Sequence, residues 1–264
     1  MTFGVLFTAI DLLLATFFTG ILVLYHICYN MQMDSQIIPN HIAIIPDGNR
    51  RWAKAHNLPS LEGHRRGFDV GIKIGKKIRS LGIHTMTMWA FSTENWDRSK
   101  EEVSYLMKMY EIFVDKNLKN AMKEKIRIIH LGRKDRIPKK LLEKIKNSEE
   151  KTKNFKDYIL NIALDYGGRD EAIRAIKKMS NNKFLISNLS EENFGQFLDT
   201  ANQPYPNPDL IIRTSGEQRT SGLMIWQAAY AEYIFLQKHF PDLTDEDIEK
   251  AVEEYSRRQR RYGK

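Results

Sequence analysis

The chain has 264 residues, 42% hydrophobic and 28% charged, with 41 Lys and Arg against 33 Asp and Glu for a formal net charge of +8. That length and balance fit one large α/β domain or two small ones. The single cysteine, Cys28, excludes an internal disulfide framework and any multi-cysteine zinc cluster, and it fits a reducing compartment.

The charge is uneven along the chain. Residues 1–40 hold only Asp11 and Asp34 and no Lys or Arg, so the remainder carries a net of +10. Such a body favours anionic partners, although bulk surface charge also serves solubility. Leu12–Tyr29 is a run of 18 residues without a formal charge other than His26. That is near the lower limit for a membrane-spanning helix. No basic residue flanks it, so the positive-inside signal is absent and a secretory signal peptide is disfavoured. Three readings stay open: a single anchor helix, a helix at the membrane interface, or an upstream extension with Met31 or Met33 as the true start. The segment 1–38 is therefore set apart from a domain at 39–264.

From Asn40 onward strands and helices alternate. Strands are expected at 41–46, 83–91, 126–131, 158–165 and 209–213, with a short sixth at 233–236. Several are continuous apolar runs, as in a parallel sheet covered on both faces. Helices are expected at about 64–81, 100–124, 136–153, 168–181, 190–199, 222–232 and 244–259. The pattern predicts a single α/β domain with a mostly parallel, about six-stranded sheet covered by helices. No repeat is visible, and the Pro-rich stretch 202–209 reads as a loop.

Ligands of open parallel sheets gather at the carboxyl ends of the strands. Four such ends here deliver Arg with Gly or Ser: Asp47–Trp52, Phe91–Arg98, Asp165–Arg169 and Arg213–Ser221. Four at one rim point to a polyanionic ligand, with Arg making bidentate contacts and small residues letting backbone donors approach. The arginines lie at separate strand ends, without a stripe of interleaved aromatics, which argues against nucleic acid. The chain has no G-x-x-x-x-G-K-[ST] loop, no G-x-G-x-x-G after a strand and no G-x-S-x-G elbow. Gly63, Gly67, Gly71 and Gly75 recur every four residues, and close helix packing is the favoured role of the later ones. A lone strand-end Asp, many Arg and few nucleophiles suit a reaction in which diphosphate leaves and the substrate supplies the nucleophile. Asp47 could then help to hold Mg²⁺, which takes few carboxylates beside phosphate oxygens and waters.

Six stretches carry a resemblance: HIAIIPDGNRRWA from His41, Gly63-His64, WAFSTENWDR from Trp89, LNIALDYGGRDEAI from Leu160, DLIIRTSGEQRTSG from Asp209 and WQAAYAEYIF from Trp226. Together they resemble the cis-prenyltransferases, the undecaprenyl or dehydrodolichyl diphosphate synthases, over about 39–264. The resemblance implies a homodimer with a hydrophobic tunnel and Mg²⁺ dependence. The implied reaction is repeated addition of isopentenyl diphosphate to an allylic diphosphate, farnesyl or geranylgeranyl, with a new cis double bond each time. The long product would be the precursor of the glycosyl carrier lipid. With the apolar first segment, it also implies membrane association at the cytoplasmic face.

Residue by residue, the resemblance makes Asp47 the aspartate of metal delivery and leaving-group departure. Gly48, Asn49, Arg50, Arg51 and His64 would hold the allylic diphosphate, with Ser60 at the edge and Trp52 either nearby or a plain core aromatic. Ser92, Thr93, Glu94, Trp96 and Arg98 would line the region between the substrates. Asn95 would assist proton removal, although a carboxamide is a poor base and a substrate phosphate oxygen is the alternative acceptor. Arg213, Arg219, Thr220 and Ser221 would grip isopentenyl diphosphate, and Glu232 would be a second Mg²⁺ ligand. Arg261 and Gly263 match a tail motif that reaches the partner subunit's site. On the helix around 103–114, Leu106, Met107, Tyr110, Phe113 and Val114 would line the tunnel. Three departures stand out: Pro46 replaces a common Met, Ser60 an Arg and Gln218 a His.

Overall fold

The computed structural model describes residues 37–259. A unit boundary falls after Ile38. Six strands alternate with helices: β1 (His41–Ile45), α1 (Asn49–Ala55), α2 (Ser60–Ser80), β2 (Thr85–Ser92), α3 (Lys100–Lys123), β3 (Ile126–Leu131), α4 (Lys139–Thr152), β4 (Tyr158–Tyr166), α5 (Gly168–Asn181), α6 (Glu191–Gly195), β5 (Leu210–Arg213), β6 (Glu232–Phe235) and α7 (Asp245–Arg257). The strands form one sheet in the order β3-β4-β2-β1-β5-β6, with every pairing parallel. All six expected strands are present. Among the described residues no helix is long and apolar enough to cross a membrane. The apolar run 12–29 and the tail residues Arg261 and Gly263 lie outside the described residues.

Both faces of the sheet are covered, which is why its strands read as apolar runs. On one face Ile42, Ile44, Leu210 and Ile212 pack on Val70, Ile74 and Ile78 of α2 and on Ile248 and Val252 of α7. On the other, Ala43, Ile45, Ala163 and Ile211 meet Leu223 and Met224. A third cluster joins Phe91 and Leu164 to Leu106 and Tyr110 of α3 and Leu141 and Ile145 of α4.

A polar row crosses this apolar sheet. The Nδ1–H of His41 donates to the Tyr205 carbonyl at 2.9 Å, which leaves Nε2 to accept the Thr87 hydroxyl at 2.7 Å. Asn161 donates to Thr87 at 3.1 Å and exchanges two hydrogen bonds with Gln203, at 3.0 and 3.1 Å. Burial is the largest influence on His41 and holds its pKa down at about 4.

Three helix expectations need correction. Residues 49–55 form a helix, and α2 begins at Ser60 rather than 64. The stretch 222–230 is a run of turns, because Gly222 and Met224 take φ of 90° and 46°, outside the α-helical region. The helix expected at 190–199 is only Glu191–Gly195.

Candidate active site

The chain leaves β1 in one direction to β2 and returns on its other side through β5 and β6, so the topology switches between β1 and β5. Asp47 follows β1 and Arg213 ends β5, and they meet at that switch. Arg213 Nη2 donates to Asp47 Oδ2 at 2.8 Å, and Arg51 Nη2 lies 3.0 Å from Oδ1. Burial raises the Asp47 pKa, but hydrogen bonds and charge from Arg213 and Arg51 outweigh it, and the carboxyl sits below its ordinary value. The Asp47 backbone is strapped by Thr214 Oγ1 at 2.7 Å and Phe240 N at 3.0 Å, both donating to its carbonyl.

Pro46 fits the hydrogen-bond register of β1. Thr85 donates to the Asn40 carbonyl and Asp209 to that of His41, so even-numbered residues of β1 face β2 and odd ones face β5. An N–H at position 46 would therefore point toward β2, and proline has none. Pairing of β1 with β2 ends at Ile44↔Met88, while pairing with β5 runs on to Ile45↔Arg213. The sheet opens beside Asp47, and Pro46 lines the opening.

Gly48 then turns the chain with φ of 98°. A Cβ there would come within 2.3 Å of Ser215 Oγ and 2.6 Å of His239 Nδ1, so only glycine fits. Two helical glycines bring α1 onto α2: a Cβ on Gly63 would lie 2.0 Å from the Asn49 carbonyl oxygen, and one on Gly67 2.6 Å from Asn49 Oδ1. Gly71 and Gly75 face Met88 and Met86 at ordinary contact distances of 3.7 and 3.6 Å.

Two hollows share this rim. The first is a cavity of about 380 Å³ between the sheet and α2, α3 and α4. Its walls include Met88, Phe91, Leu106, Tyr110, Phe113, Leu141 and Ile162, and its mouth Asp47, Asn49, His64, Arg98, Arg213 and Ser221. Lys76 and Arg79, three to four turns further along α2 from His64, also line it, with Asn117 of α3 and Glu124 at its end, the latter ion-paired with Arg79. The second is an open polar groove lined by Gly48, Arg50, Arg51, Lys54, Ser60 and Arg98. Pro46, Asp47, Asn49, His64 and Arg98 line both. Arg213 Nε and Asn49 Oδ1 are buried polar atoms without a protein partner, as expected of groups kept for a ligand.

Other expected residues occupy varied positions. Arg213 Nη1 donates to the Arg219 carbonyl at 2.5 Å and Ser221 Oγ at 2.8 Å. Arg219 and Thr220 are exposed and line neither hollow, and the Arg219 guanidinium pairs with Glu217, as does Arg51. Ser92 and Asn95 line the cavity, where Asn95 Oδ1 accepts from Ser92 N at 3.1 Å and closes a 3-10 turn.

Several expectations are not met. Trp52 lines neither hollow; its indole donates to Asp242 at 2.7 Å and stacks on His56. Thr93 donates to Glu94, and neither lines a hollow. Trp96 turns away to Asp165, 2.9 Å from its Nε1, beneath Arg136. Glu232 opens β6 opposite Leu210, whereas Arg213 pairs with Phe235 at the rim. It lies about 10 Å short of the rim along the strand and pairs with Arg258 at 2.7 Å. It therefore cannot share an ion with Asp47 of the same chain. Sequence reasoning also missed Glu102, which meets His64, Arg98 and Arg50.

Comparison with known proteins identifies the family. The signature of the undecaprenyl diphosphate synthase family of prenyltransferases matches residues 45–263. An isoprenyl transferase of Thermotoga maritima is 46% identical over 230 residues, covering 86% of this chain and 97% of the relative. One from Aquifex aeolicus is 43% identical over 227 residues, covering 86% and 96%. The crystal structure of lavandulyl diphosphate synthase from Lavandula x intermedia in complex with dimethylallyl diphosphate superposes with a TM-score of 0.83, at 35% identity over 86% of this chain and 99% of that one. The chain is a prenyltransferase and belongs to the undecaprenyl diphosphate synthase family.

Proposed function

We propose that the protein extends an allylic diphosphate, farnesyl or geranylgeranyl, with successive isopentenyl units to a long polycis-polyprenyl diphosphate, the precursor of the glycosyl carrier lipid. The observation that carries this reading is the junction itself. A cation-rich groove and an apolar cavity meet at Asp47, one suited to diphosphate and the other to a hydrocarbon chain.

In each cycle the allylic C–O bond breaks and its electron pair leaves with diphosphate. The isopentenyl double bond supplies electrons for the new C–C bond, and a proton leaves to form the new double bond. Arg50, Arg51 and His64 hold the allylic diphosphate at the groove, with Gly48 and Asn49 backbone close by and Ser60 at its edge. Arg213 and Ser221, with Arg219 and Thr220 on the flanking loop, receive isopentenyl diphosphate. The Asn95 carboxamide positions substrate and leaves the proton to a phosphate oxygen, since its Oδ1 is engaged by the Ser92 amide. Alignment and charge neutralisation supply the rate. The cavity is the path of the growing chain.

The site fits Mg²⁺. Asp47 presents one carboxylate with each oxygen holding a single guanidinium contact, so each retains a lone-pair site. Among the described residues no group of three His, Cys, Asp or Glu forms a metal cage, which suits an ion that takes one carboxylate plus phosphate oxygens. Bound there, Mg²⁺ would neutralise the departing diphosphate.

The catalytic domain is 39–264, with the apolar segment 1–38 set apart from it as a membrane anchor at the cytoplasmic face, an interfacial helix or an upstream extension. Exposed Ile173, Ile176, Ile225 and Trp226, on α5 and the turns that contact its start, support a homodimer. The test is incubation of the purified protein with Mg²⁺, labelled isopentenyl diphosphate and each starter. Butanol-extractable long-chain product is expected. None with any allylic starter would overturn the reading.

A further inference from the structure

Glu102 puts a negative charge against cations that face an anion site. Its Oε1 accepts from Arg98 Nη1 at 3.1 Å and from His64 Nε2 at 3.2 Å, and its Oε2 lies 3.9 Å from Arg50 Nη1. The Glu102 side chain is 14% exposed. Arg98 and His64 line both hollows and Arg50 the groove, yet Glu102 lines neither. It stands behind Arg98, Arg50 and His64, on the first turn of α3, anchored by its own N–H to the Ser99 cap at 3.2 Å. Leu106, Tyr110 and Val114 follow on the same stripe at steps of four and line the cavity.

A like charge beside an anion site weakens anion binding. A group kept only to tie α3 to α2 could be a neutral amide, whose carbonyl would accept from His64 equally well. A carboxylate adds what an amide lacks, a full negative charge that holds the Arg98 guanidinium in place and draws on that of Arg50 while the groove is empty. A diphosphate offers more charge and more acceptor oxygens than one carboxylate and can take those donors over.

We propose that Glu102 is the resident counter-anion of the groove, a positioning residue that aligns Arg98 and His64 in the empty site and yields the arginines to a bound diphosphate, a role that rests on reading the groove as the diphosphate site. When diphosphate departs, the carboxylate recovers them and speeds release.

The experiment titrates inorganic diphosphate into the full-length protein by calorimetry, for wild type, Glu102→Gln, Glu102→Asp and Arg50→Gln. Wild type is expected to bind and Arg50→Gln to bind about tenfold more weakly. Glu102→Gln should bind about three- to tenfold more tightly, the scale of one unit charge several ångströms away in a wet site. Glu102→Asp, which keeps the charge, should stay within about twofold of wild type. In turnover, Glu102→Gln should lower both kcat and the KM for the allylic diphosphate. A merely structural tie would lower stability without tightening the anion. Unchanged or weaker binding by Glu102→Gln at an unchanged melting temperature overturns the proposal, as does tighter binding by Glu102→Asp if the Gln variant does not fold. Equal binding by wild type and Arg50→Gln, or no binding at all, overturns the reading of the groove and the proposal with it.

Discussion

Two alanine substitutions on one helix should move stability in opposite directions. Gly63 and Gly71 both lie inside α2, eight residues apart. Replacing an interior helical glycine by alanine gains about 1 kcal/mol through backbone entropy. At Gly71 nothing opposes that gain, because the new Cβ would meet Met88 Cε at 3.7 Å and Phe240 Cζ at 4.0 Å. At Gly63 the Cβ would lie 2.0 Å from the carbonyl oxygen and 2.8 Å from the carbonyl carbon of Asn49, which are backbone atoms. They cannot rotate away, so α1 must shift by more than an ångström. Overpacking of that severity costs about 3 kcal/mol, leaving a net loss of about 2 kcal/mol after the helical gain. For a domain of this size 1 kcal/mol moves the melting temperature by about 2–4 °C. Differential scanning calorimetry should place Gly71→Ala about 2–4 °C above wild type and Gly63→Ala about 4–8 °C below it. Activity should drop with Gly63→Ala, since Asn49, Arg50 and Arg51 ride on α1. A Gly63→Ala protein melting at or above wild type would refute the reasoning.

Asp47→Ala should keep its fold by circular dichroism and lose at least about a hundredfold in turnover; a folded variant with wild-type turnover would remove Asp47 from the chemistry. Asp47 sits below its ordinary pKa of 3.8 in the fold. Its stabilisation is complete above the unfolded value and is lost as pH falls through the depressed folded value, so Asp47→Asn should flatten the acid limb of urea unfolding below about pH 4. His41 titrates at about 4 in the fold against an ordinary 6.5. As pH falls from 6.5 its protonation favours the unfolded chain, removing on the order of 3 kcal/mol by pH 4. His41→Gln should lessen that slope, and an identical slope would show that His41 is not buried as described. Trp52→Phe should cost about 1 kcal/mol through the lost Asp242 bond and leave the KM for the allylic diphosphate unchanged; a raised KM would return Trp52 to the substrate.

The strands were legible because burial on both faces writes them as short apolar runs between turn signals. Asp47, Arg213 and His64 were legible as polar groups placed where apolar runs end. Direction was not. The residues from Asn49 to Trp52 are adjacent in sequence, but α1 sends Asn49 to α2, Arg51 to Asp47 and Glu217, and Trp52 to Asp242. Glu102 stood in a charged helix start, where a carboxylate reads as a solvated cap. Its partners lie 38 and 52 positions away in His64 and Arg50, and only the packing of α3 and α1 on α2 brings them together. Glu232 failed for the opposite reason. It opens β6, and the parallel register commits that end of the strand to the edge away from the rim.

The polar row across the sheet bears on how this chain chooses one arrangement among many. Parallel strands made of Ile, Leu and Met could slide past each other by two residues and still bury apolar side chains on the same faces. Any such slip would carry His41 and Asn161 away from Thr87 and leave their ring and amide groups stranded in hydrocarbon. The penalty falls on the misaligned sheets alone, since in the native one each member of the row has its partners. The strand that holds Asp47 at the rim is thus aligned with β2 and β4 from the far end of the sheet, by groups that never meet a substrate.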